Sequence, residues 1–455
     1  MNRHVLIGRL GSEDKIDVPV GKGEVATELQ FVQSTKRLDH GIGRALDDLA
    51  KLKIFPSEAG VDLMVVAAHV HAADTRLSRD TESQDNWTRE IRLVIPVKDV
   101  ALWQNGKPVL ERMLNFLTGD LWTIDFRSRP KGFEKIVNPS APELLGLPFD
   151  GVSLFSGGLD SLIGAIDELD AGKTPLFVSH AGEGAVSTSQ ETLFRALENH
   201  HKGRNLERLR VWMAFPNDLF KDVPAEISTR GRSFLFFAAG VFASTGLDKV
   251  VSLRVPENGL IALNVPLDQL RLGALSTRTT HPFYIARWNE LVSILGISTT
   301  IENPYWDQTK GEMVASCANR NLLRRMIGDS MSCSSPTKGR WTGHSSEHCG
   351  FCLPCLIRRA AIKAGLGKDD PTTYTLADLT AQRLDTRRAE GRQIRSFQFA
   401  IDRLKKKPSL ASILIHKPGP LSSESATRQA SLADVYRRGM MEVGKLLKGV
   451  ETAPN

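Results

Sequence analysis

The segment Ser156-Gly157-Gly158-Leu159-Asp160-Ser161 constrains the fold of this chain more than any other. The short apolar run 152–155 precedes it and the apolar stretch 162–166 follows, so the pattern predicts a strand, a glycine turn and a helix. Glycines let the backbone bend sharply and approach a ligand closely, and the first N–H groups of a helix attract an anion. We interpret the segment as a cradle for phosphate or pyrophosphate. The alternative is a plain strand–helix turn in which Ser and Asp act as caps.

The chain around this turn predicts an α/β fold. Strand patterns alternate with helical patterns from residue 149 onward, which favours a doubly wound parallel sheet with its ligand at the carboxyl ends of the strands. Ser179 and His180 end the second strand and are therefore candidates to bind the same ligand. The predicted strands are 151–155, 175–180, 209–214 and 249–254, and the predicted helices lie near 160–170, 187–200 and 229–246.

Segments on both sides of this region carry no recognisable chemistry. Residues 1–130 predict a small α+β domain, residues 131–148 a proline-containing linker, residues 149–365 the α/β domain, and residues 366–455 a basic helical region. Within the first segment we expect helices near 46–52 and 110–117, strands at 61–67, 89–97 and 121–126, and an exposed loop at 74–86.

Bulk properties indicate a globular protein with ample core. The chain has 455 residues, of which 41% are hydrophobic and 24% charged. Neither a secretory signal nor a membrane-length apolar run is visible, so we expect a cytoplasmic protein with no membrane contact. The net charge of +7 is compatible with ATP, a nucleotide-like substrate, an acidic protein or nucleic acid, and selects none of them.

The most basic stretch runs from Arg383 to Lys407, with nine Lys or Arg residues against three acids. It could dock nucleic acid or an acidic partner. We favour a solvated amphipathic helix that contacts the core through Ile394, Phe397 and Ile401.

Four of the five cysteines have the spacing of a metal site. Cys349, Cys352 and Cys355 form a doubled C-x2-C, and Cys333 lies sixteen residues upstream. Four thiolates predict a closed, structural Zn²⁺ site; the alternatives are an iron–sulfur cluster and four unrelated reduced cysteines.

The other histidines and cysteine with metal-binding side chains are not expected to bind a metal. His344 and His348 are nearby substitute ligands, but such residues are more often surface histidines. His69 and His71 have no third metal-binding residue near them in the sequence, so we interpret them as not binding a metal. Cys317 is interpreted as a small buried residue.

The glycine turn lacks the Lys of a Walker A loop and resembles the PP-loop of ATP pyrophosphatases. Together with the cysteines it resembles the QueC family, 7-cyano-7-deazaguanine synthase, over roughly 149–365. Further agreements lie between the two motifs: Gly231-Arg232-Ser233-Phe234, Thr309-Lys310-Gly311-Glu312-Met313, Ser332-Cys333 and Arg358.

The resemblance implies an enzyme that activates a carboxylate with ATP and Mg²⁺, releases pyrophosphate and transfers the acyl group from AMP to an amine. Ser156, Gly157, Gly158, Leu159, Asp160 and Ser161, with Ser179 and His180, would bind ATP. Asp160, which orients Mg²⁺ or caps the helix, would act with Lys310 and Arg232 on the developing charge; a surface or salt-bridge role is the alternative for the last two. The residues expected to face the substrate are Asn258, Asn264, Arg278 and His281.

Two departures from the family shape the functional expectation. The strand ending in Ser179 lacks the family's Asp-Tyr-Gly-Gln, and the usual substrate segment is replaced by 257–259, 264–267 and 276–282. The added flanking regions resemble the longer QueC-like proteins of anti-phage defence systems, such as the QatC component of Qat.

That resemblance implies transfer of a 7-carboxy-7-deazaguanine-like group to a partner protein of the same operon, with nucleic acid not required. The oligomeric state, including a dimer, is left open. The alternatives are a free 7-cyano-7-deazaguanine synthase, a sulfurtransferase relying on Cys317, and a non-catalytic nucleotide-binding subunit of a defence complex.

Overall fold

The computed structural model describes most of the chain. The described residues are 3–32, 37–83, 85–137, 147–182, 184–226, 228, 230–247, 249–267, 278–334, 336, 347–367 and 370–454. Part of the predicted linker, His344 and residues 276–277 of the expected substrate segment lie outside them.

Strands and helices in the described residues are numbered in chain order. The strands are β1 Arg3–Arg9, β2 Glu24–Gln30, β3 Glu90–Val97, β4 Leu121–Ser128, β5 Gly151–Leu154, β6 Pro175–His180, β7 Arg208–Val211, β8 Val251–Arg254, β9 Thr299–Glu302, β10 Leu384–Asp385 and β11 Thr452–Ala453. The helices are α1 Ile42–Lys51, α2 Glu58–Arg76, α3 Arg79–Glu82, α4 Val100–Thr118, α5 Leu159–Asp170, α6 Gly184–His200, α7 Arg232–Ser244, α8 Gly259–Leu263, α9 Pro282–Ile294, α10 Lys310–Ser316, α11 Arg320–Met326, α12 Leu353–Leu366, α13 Ala389–Lys406, α14 Leu410–Leu414 and α15 Ala426–Leu446.

A five-stranded parallel sheet forms the centre of the fold. Its strand order is β7-β6-β5-β8-β9, and every pair is parallel. The four strands predicted for this region are confirmed, and so are the helices between them. The chain runs from β5 outward to β7 and then returns to place β8 beside β5. A ligand site is expected at the carboxyl ends of β5 and β8, where the winding direction reverses.

The first 130 residues form a second parallel sheet, with strand order β2-β1-β3-β4. The expectation of an α+β arrangement is therefore wrong for this region, because its paired strands are all parallel. The strand predicted at 61–67 is also wrong, since these residues lie inside α2, whose start is capped by the Ser57 side chain. Residues 60–75 of α2 are all buried, and a helix covered on every side has the same unbroken apolar run as a central strand.

The exposed loop predicted at 74–86 is likewise corrected. Residues 74–76 end α2 and residues 79–82 form α3. Asp74 and Arg79 are buried, and Arg79 donates hydrogen bonds to Asp120 at the end of α4. The charged residues of this stretch therefore belong to a buried network of ion pairs rather than to an exposed loop.

The largest apolar core continues across both sheets. Helix α2 packs against α7, and α4 packs against α9, so side chains from both sides of the predicted linker share one cluster. Polar contacts join the same helices: the backbone N–H of Ser57 donates to Thr245 Oγ1 at 3.0 Å. The N-terminal region is thus a wall of the same body as the central sheet.

The C-terminal helices build a separate core. Ile394, Phe397 and Ile401 of α13 are buried, which confirms the amphipathic face predicted for the basic stretch. The expectation that no aromatic residue lies among the basic ones is wrong, because Phe399 on the same helix is exposed and the Arg395 guanidinium lies over its ring. None of the helices in the described residues combines the length and apolar composition needed to cross a bilayer.

Candidate functional site

The glycine turn has the predicted strand–turn–helix geometry. Gly157 has φ +80°, in the left-handed region that glycine adopts without strain, and Gly158 precedes α5 in an extended conformation. A Cβ at Gly157 would also lie 3.0 Å from Gln190 Cγ of α6. Both the backbone angle and the close approach of α6 therefore require glycine at this position.

Two serine hydroxyls converge inside the turn. Ser156 Oγ donates to Ser161 Oγ at 3.1 Å, and Ser161 Oγ donates to the Gly158 carbonyl at 3.0 Å. The N-cap residue of α5 is Gly158, which has no side chain to cap the first turn of the helix. Hydroxyls and first-turn N–H groups are the donors that an anion at a helix N-terminus uses.

The loop that carries Cys333 forms one wall of the turn. The N–H of Met331 donates to the Gly157 carbonyl at 2.8 Å, and the N–H of Leu159 points to Ser332 Oγ at 3.4 Å. A Cβ on Gly158 would meet the Met331 carbonyl at 3.5 Å. The two sequence motifs, 173 residues apart, are thus in direct contact.

Arg358 fixes this wall from behind. Its guanidinium is fully buried and donates to Ser330 Oγ at 2.8 Å, Ser332 Oγ at 3.3 Å and Thr372 Oγ1 at 2.9 Å. Burial away from water lowers the pKa of Arg358. Its position ties the cysteine loop to the helix α12 that follows it.

The four cysteines predicted to bind metal form one buried cluster. Their Sγ atoms lie within 4.8 Å of one another, and each residue is at most 9% exposed. The separations Cys333–Cys352 and Cys349–Cys355 are both 3.9 Å. Tetrahedral Zn²⁺ with bonds of about 2.3 Å places its sulfur ligands about 3.8 Å apart.

The cluster therefore fits a single zinc ion. A four-iron cluster spaces its thiolates more widely, because each thiolate binds a different iron.

The spare histidine and cysteine have structural roles. The surface position expected for His348 is wrong, because this residue is buried. Its Nε2 accepts from the Ser332 N–H at 3.1 Å and so supports the same loop, and burial lowers the pKa of His348 to about 3. Cys317 is buried, and burial next to Asp167 raises the pKa of its thiol to about 12. A thiol held in this form is a poor nucleophile.

Asp160 and Lys310 meet at the start of α5. Lys310 Nζ lies 3.1 Å from Asp160 Oδ1, and both side chains are largely buried. The other carboxylate oxygen accepts from the Asn258 Nδ2 at 2.8 Å and from its N–H at 3.2 Å. Since Asn258 follows β8 and Asp160 follows β5, the cluster lies where the winding direction of the sheet reverses.

Glu257 extends this cluster with an unusual carboxyl group. It accepts a hydrogen bond from Thr280, while burial and the nearby charge of Asp160 raise its pKa to about 7. Asn303 holds the Glu257 backbone at both its N–H and its carbonyl. A carboxyl group with this pKa exchanges a proton readily near neutral pH.

The C-terminal helix α15 holds Lys310 in place. Thr309 and Glu312 form a capping box at the start of α10. Glu442 of α15 accepts from the Thr309 hydroxyl and from the Gly311 N–H at 3.3 Å, and Arg438 pairs with Glu312. The residue expected to act on phosphate charge therefore begins a helix that the C-terminal region fixes.

Ser179 and His180 end β6 beside the turn. Ser179 Oγ donates to the Phe155 carbonyl at 2.7 Å, whereas neither ring nitrogen of His180 has a hydrogen-bond partner in the described residues. Burial lowers the pKa of His180 to about 3. Arg232 starts α7 next to this ring, near Gly182.

Three of the residues expected to face a substrate have contacts within the chain, and their role towards a substrate stays a prediction. Arg278 donates to the Phe116 carbonyl at 2.6 Å, and its guanidinium lies over the Phe116 ring. His281 is fully buried and caps α9 by accepting from the Phe283 N–H at 3.2 Å. Among the described residues, no hydrogen bond, ion pair or ring contact joins Arg278 or His281 to the glycine turn. Asn264 ends α8 in the left-handed conformation, with φ +42°.

Sequence reasoning missed several residues of this site. Glu257 belongs to a segment recognised as a replacement, yet it received no role. Gln190, whose amide donates to the Ser156 carbonyl at 3.2 Å, and Glu442 lie in helices with no local signal. Of the histidine pair interpreted as non-metal, His69 Nδ1 donates to the Val65 carbonyl at 2.7 Å, and His71 faces His180.

Comparison with protein-family models, with curated proteins and with solved structures finds no match. The functional conclusion therefore depends on the geometry of the site and on the motifs that the sequence carries.

Proposed function

We propose that this protein activates a carboxylate with ATP, releasing pyrophosphate, and transfers the acyl group to an amine. The carboxylate is of the 7-carboxy-7-deazaguanine type, and the amine belongs to a partner protein in an anti-phage defence system. Both of these finer assignments come from the resemblance to the longer QueC-like proteins.

One observation carries the proposal. An anion cradle, made by Ser156, Ser161 and the start of α5, adjoins the Asp160–Lys310 pair at the carboxyl ends of β5 and β8. A hydroxyl-lined turn without a Walker A lysine suits a leaving pyrophosphate, and Lys310 supplies a positive charge beside it. A plain structural turn would need neither the paired hydroxyls nor a buried lysine.

The chemistry divides into two balanced steps. A carboxylate oxygen bonds to the α-phosphorus of ATP while the bond to the β-phosphate oxygen breaks, which gives an acyl-adenylate and pyrophosphate. The amine nitrogen then bonds to the acyl carbon, AMP leaves with the bonding electron pair, and the amine loses a proton.

The residues of the site have complementary roles in these steps. The serines and the first N–H groups of α5 hold the departing pyrophosphate, and Lys310 offsets the charge that develops on it. Glu257, with its pKa near 7, accepts the proton from the attacking amine. Mg²⁺ bound with ATP would draw a ligand from Asp160 and neutralise phosphate charge.

The four-cysteine site has a supporting part. Zinc bound by Cys333, Cys349, Cys352 and Cys355 would have no open position for a substrate. It would stabilise the loop whose residues Met331 and Ser332 form a wall of the cradle. The sulfurtransferase alternative loses support, because the only remaining cysteine is the buried Cys317 with a raised pKa.

The experiment incubates the full chain with ATP, Mg²⁺ and 7-carboxy-7-deazaguanine, with and without the proteins encoded beside it, and measures nucleotides and intact protein masses. AMP together with a mass gain of one deazaguanine acyl group on a partner supports the proposal. AMP with a free amide or nitrile, formed when ammonium is also supplied, and unchanged protein masses would assign the small-molecule synthase instead. Absence of AMP under all conditions would favour a non-catalytic nucleotide-binding subunit.

A glycine variant tests the position of the chemistry. Gly158→Val places a branched side chain in ordinary contact with Ser156 Oγ, at 3.4 Å from the Cβ, and should abolish AMP formation with the fold intact. Gly21→Val is the matched control, since its Cβ would meet only the flexible end of Glu24. Normal AMP formation by Gly158→Val would remove the cradle from the account.

A further inference from the structure

A second polar cluster lies where the N-terminal region contacts the central sheet. The rings of His71 in α2 and His180 at the end of β6 are 5.6 Å apart, edge to face. Both histidines are more than nine-tenths buried. His71 Nδ1 and both ring nitrogens of His180 have no hydrogen-bond partner in the part of the chain that the structure describes.

Three unpartnered nitrogens in one place are unusual, because buried polar atoms are almost always hydrogen-bonded. Burial also keeps both rings neutral, so each retains one N–H to donate. The packing of α2 against the central sheet therefore brings together three ring nitrogens that have no hydrogen-bond partner in the described residues.

The Arg232 guanidinium and the space beside Gly182 adjoin these histidines. The point where a Cβ on Gly182 would lie is 3.7 Å from His180 Nδ1 and 3.7 Å from Arg232 Nη2. Gly182 is exposed, and the absence of a side chain on it leaves space between the imidazole and the guanidinium.

The N–H of Gly231 at the start of α7 is not available to bind a ligand. Asp74 of α2 already accepts the Gly231 N–H at 2.7 Å, so the N-terminal region caps this helix itself. The polar side chains around this point are those of His71, His180 and Arg232.

We propose that His71, His180 and Arg232 form a subsite for an anionic oxygen group, a phosphate or a carboxylate, beside Gly182. Two neutral imidazole N–H donors and one guanidinium match the oxygens of such a group. The N-terminal region thereby supplies a binding residue to the site at the end of the central sheet. The identity of the anion, a phosphate of ATP or the carboxylate to be activated, rests on the proposed function.

The test uses the full chain labelled with ¹⁵N-histidine. Separate titrations with inorganic phosphate, ATP and 7-carboxy-7-deazaguanine are followed at the ring nitrogens, and dissociation constants are measured by calorimetry. We expect the His71 and His180 signals to shift with at least one probe. His71→Ala and Gly182→Val, which fills the space beside Arg232, should weaken that probe at least tenfold.

His69→Ala is the matched control. His69 lies on the same helix, is fully buried and also has an unpartnered Nε2, but its ring faces Gly8 of β1. This variant should lose stability as His71→Ala does and keep the affinity of the wild-type protein.

The outcomes separate the subsite from the proposed function. A loss of affinity for ATP alone assigns a phosphate, and a loss for the deazaguanine alone assigns the carboxylate. Shifts with inorganic phosphate in a protein that binds neither ATP nor the deazaguanine would keep the subsite and reject the proposed function. ATP binding with unshifted His71 and His180 rings and unchanged affinity in both variants would overturn the subsite only, and three silent probes would overturn both.

Discussion

Replacement of Lys310 by methionine should separate the structural and chemical roles of the Asp160–Lys310 pair. The two side chains are 7% and 10% exposed and their charged atoms lie 3.1 Å apart. Breaking a buried pair costs about 3–5 kcal/mol when the remaining charge has no other partner. Asp160 keeps its two hydrogen bonds from Asn258, so we expect Lys310→Met to lower the free energy of unfolding by about 2–3 kcal/mol.

A second substitution distinguishes the two roles. Asp160→Asn in the Lys310→Met background removes the uncompensated charge and should recover at least half of the lost stability. It should not recover activity, because the positive charge beside the leaving pyrophosphate is still absent. We expect AMP formation to fall by about 10²–10³-fold in both variants.

The assays are urea denaturation and AMP formation per folded molecule. Lys363→Met, on an exposed position of α12, is the control and should change stability by less than about 0.5 kcal/mol. The reasoning is refuted if Lys310→Met forms AMP at the wild-type rate, or if the double variant is less stable than the single one.

Three further perturbations test other parts of the site. Cys349→Ser should remove about one zinc per chain and lower the melting temperature, as expected when a closed four-thiolate site is lost, whereas Cys317→Ser should leave the zinc content unchanged in elemental analysis. Burial raises the pKa of Glu257 to about 7, so the folded state favours the protonated carboxyl group, and the free energy of unfolding should fall by up to about 3 kcal/mol as the pH rises from about 4.5 to 7. Glu257→Gln should flatten that decline in unfolding curves measured at successive pH values. Glu442→Ala should cost about 1–3 kcal/mol and slow AMP formation by displacing Lys310, while Glu442→Gln, which keeps an acceptor oxygen, should retain most of both; equal losses in the two variants would contradict a positioning role.

The local parts of the site are predictable from sequence because their signals are local. The glycine turn requires a positive φ at Gly157 and a helix start at Leu159, and both follow from six adjacent residues. The cysteine cluster is read from spacing alone. The alternation of strands and helices after residue 149 predicts the parallel sheet correctly for the same reason.

The contacts that complete the site join distant residues and leave no local pattern. Glu442 reaches Thr309 across 133 residues, Ser332 reaches Leu159 across 173, and Asp74 reaches Gly231 across 157. The misassigned strand at 61–67 has a related cause. Its helix is buried on all sides by the rest of the chain, so tertiary packing removes the amphipathic period that marks a helix.

Carboxylate-dependent exchange of labelled pyrophosphate into ATP tests the central claim most directly, because it reports formation of an acyl-adenylate without any acceptor amine. We expect the full chain with Mg²⁺ and 7-carboxy-7-deazaguanine to exchange label into ATP, and Gly158→Val to exchange none. Wild-type protein that binds ATP yet exchanges no label, with or without the carboxylate, would contradict the account.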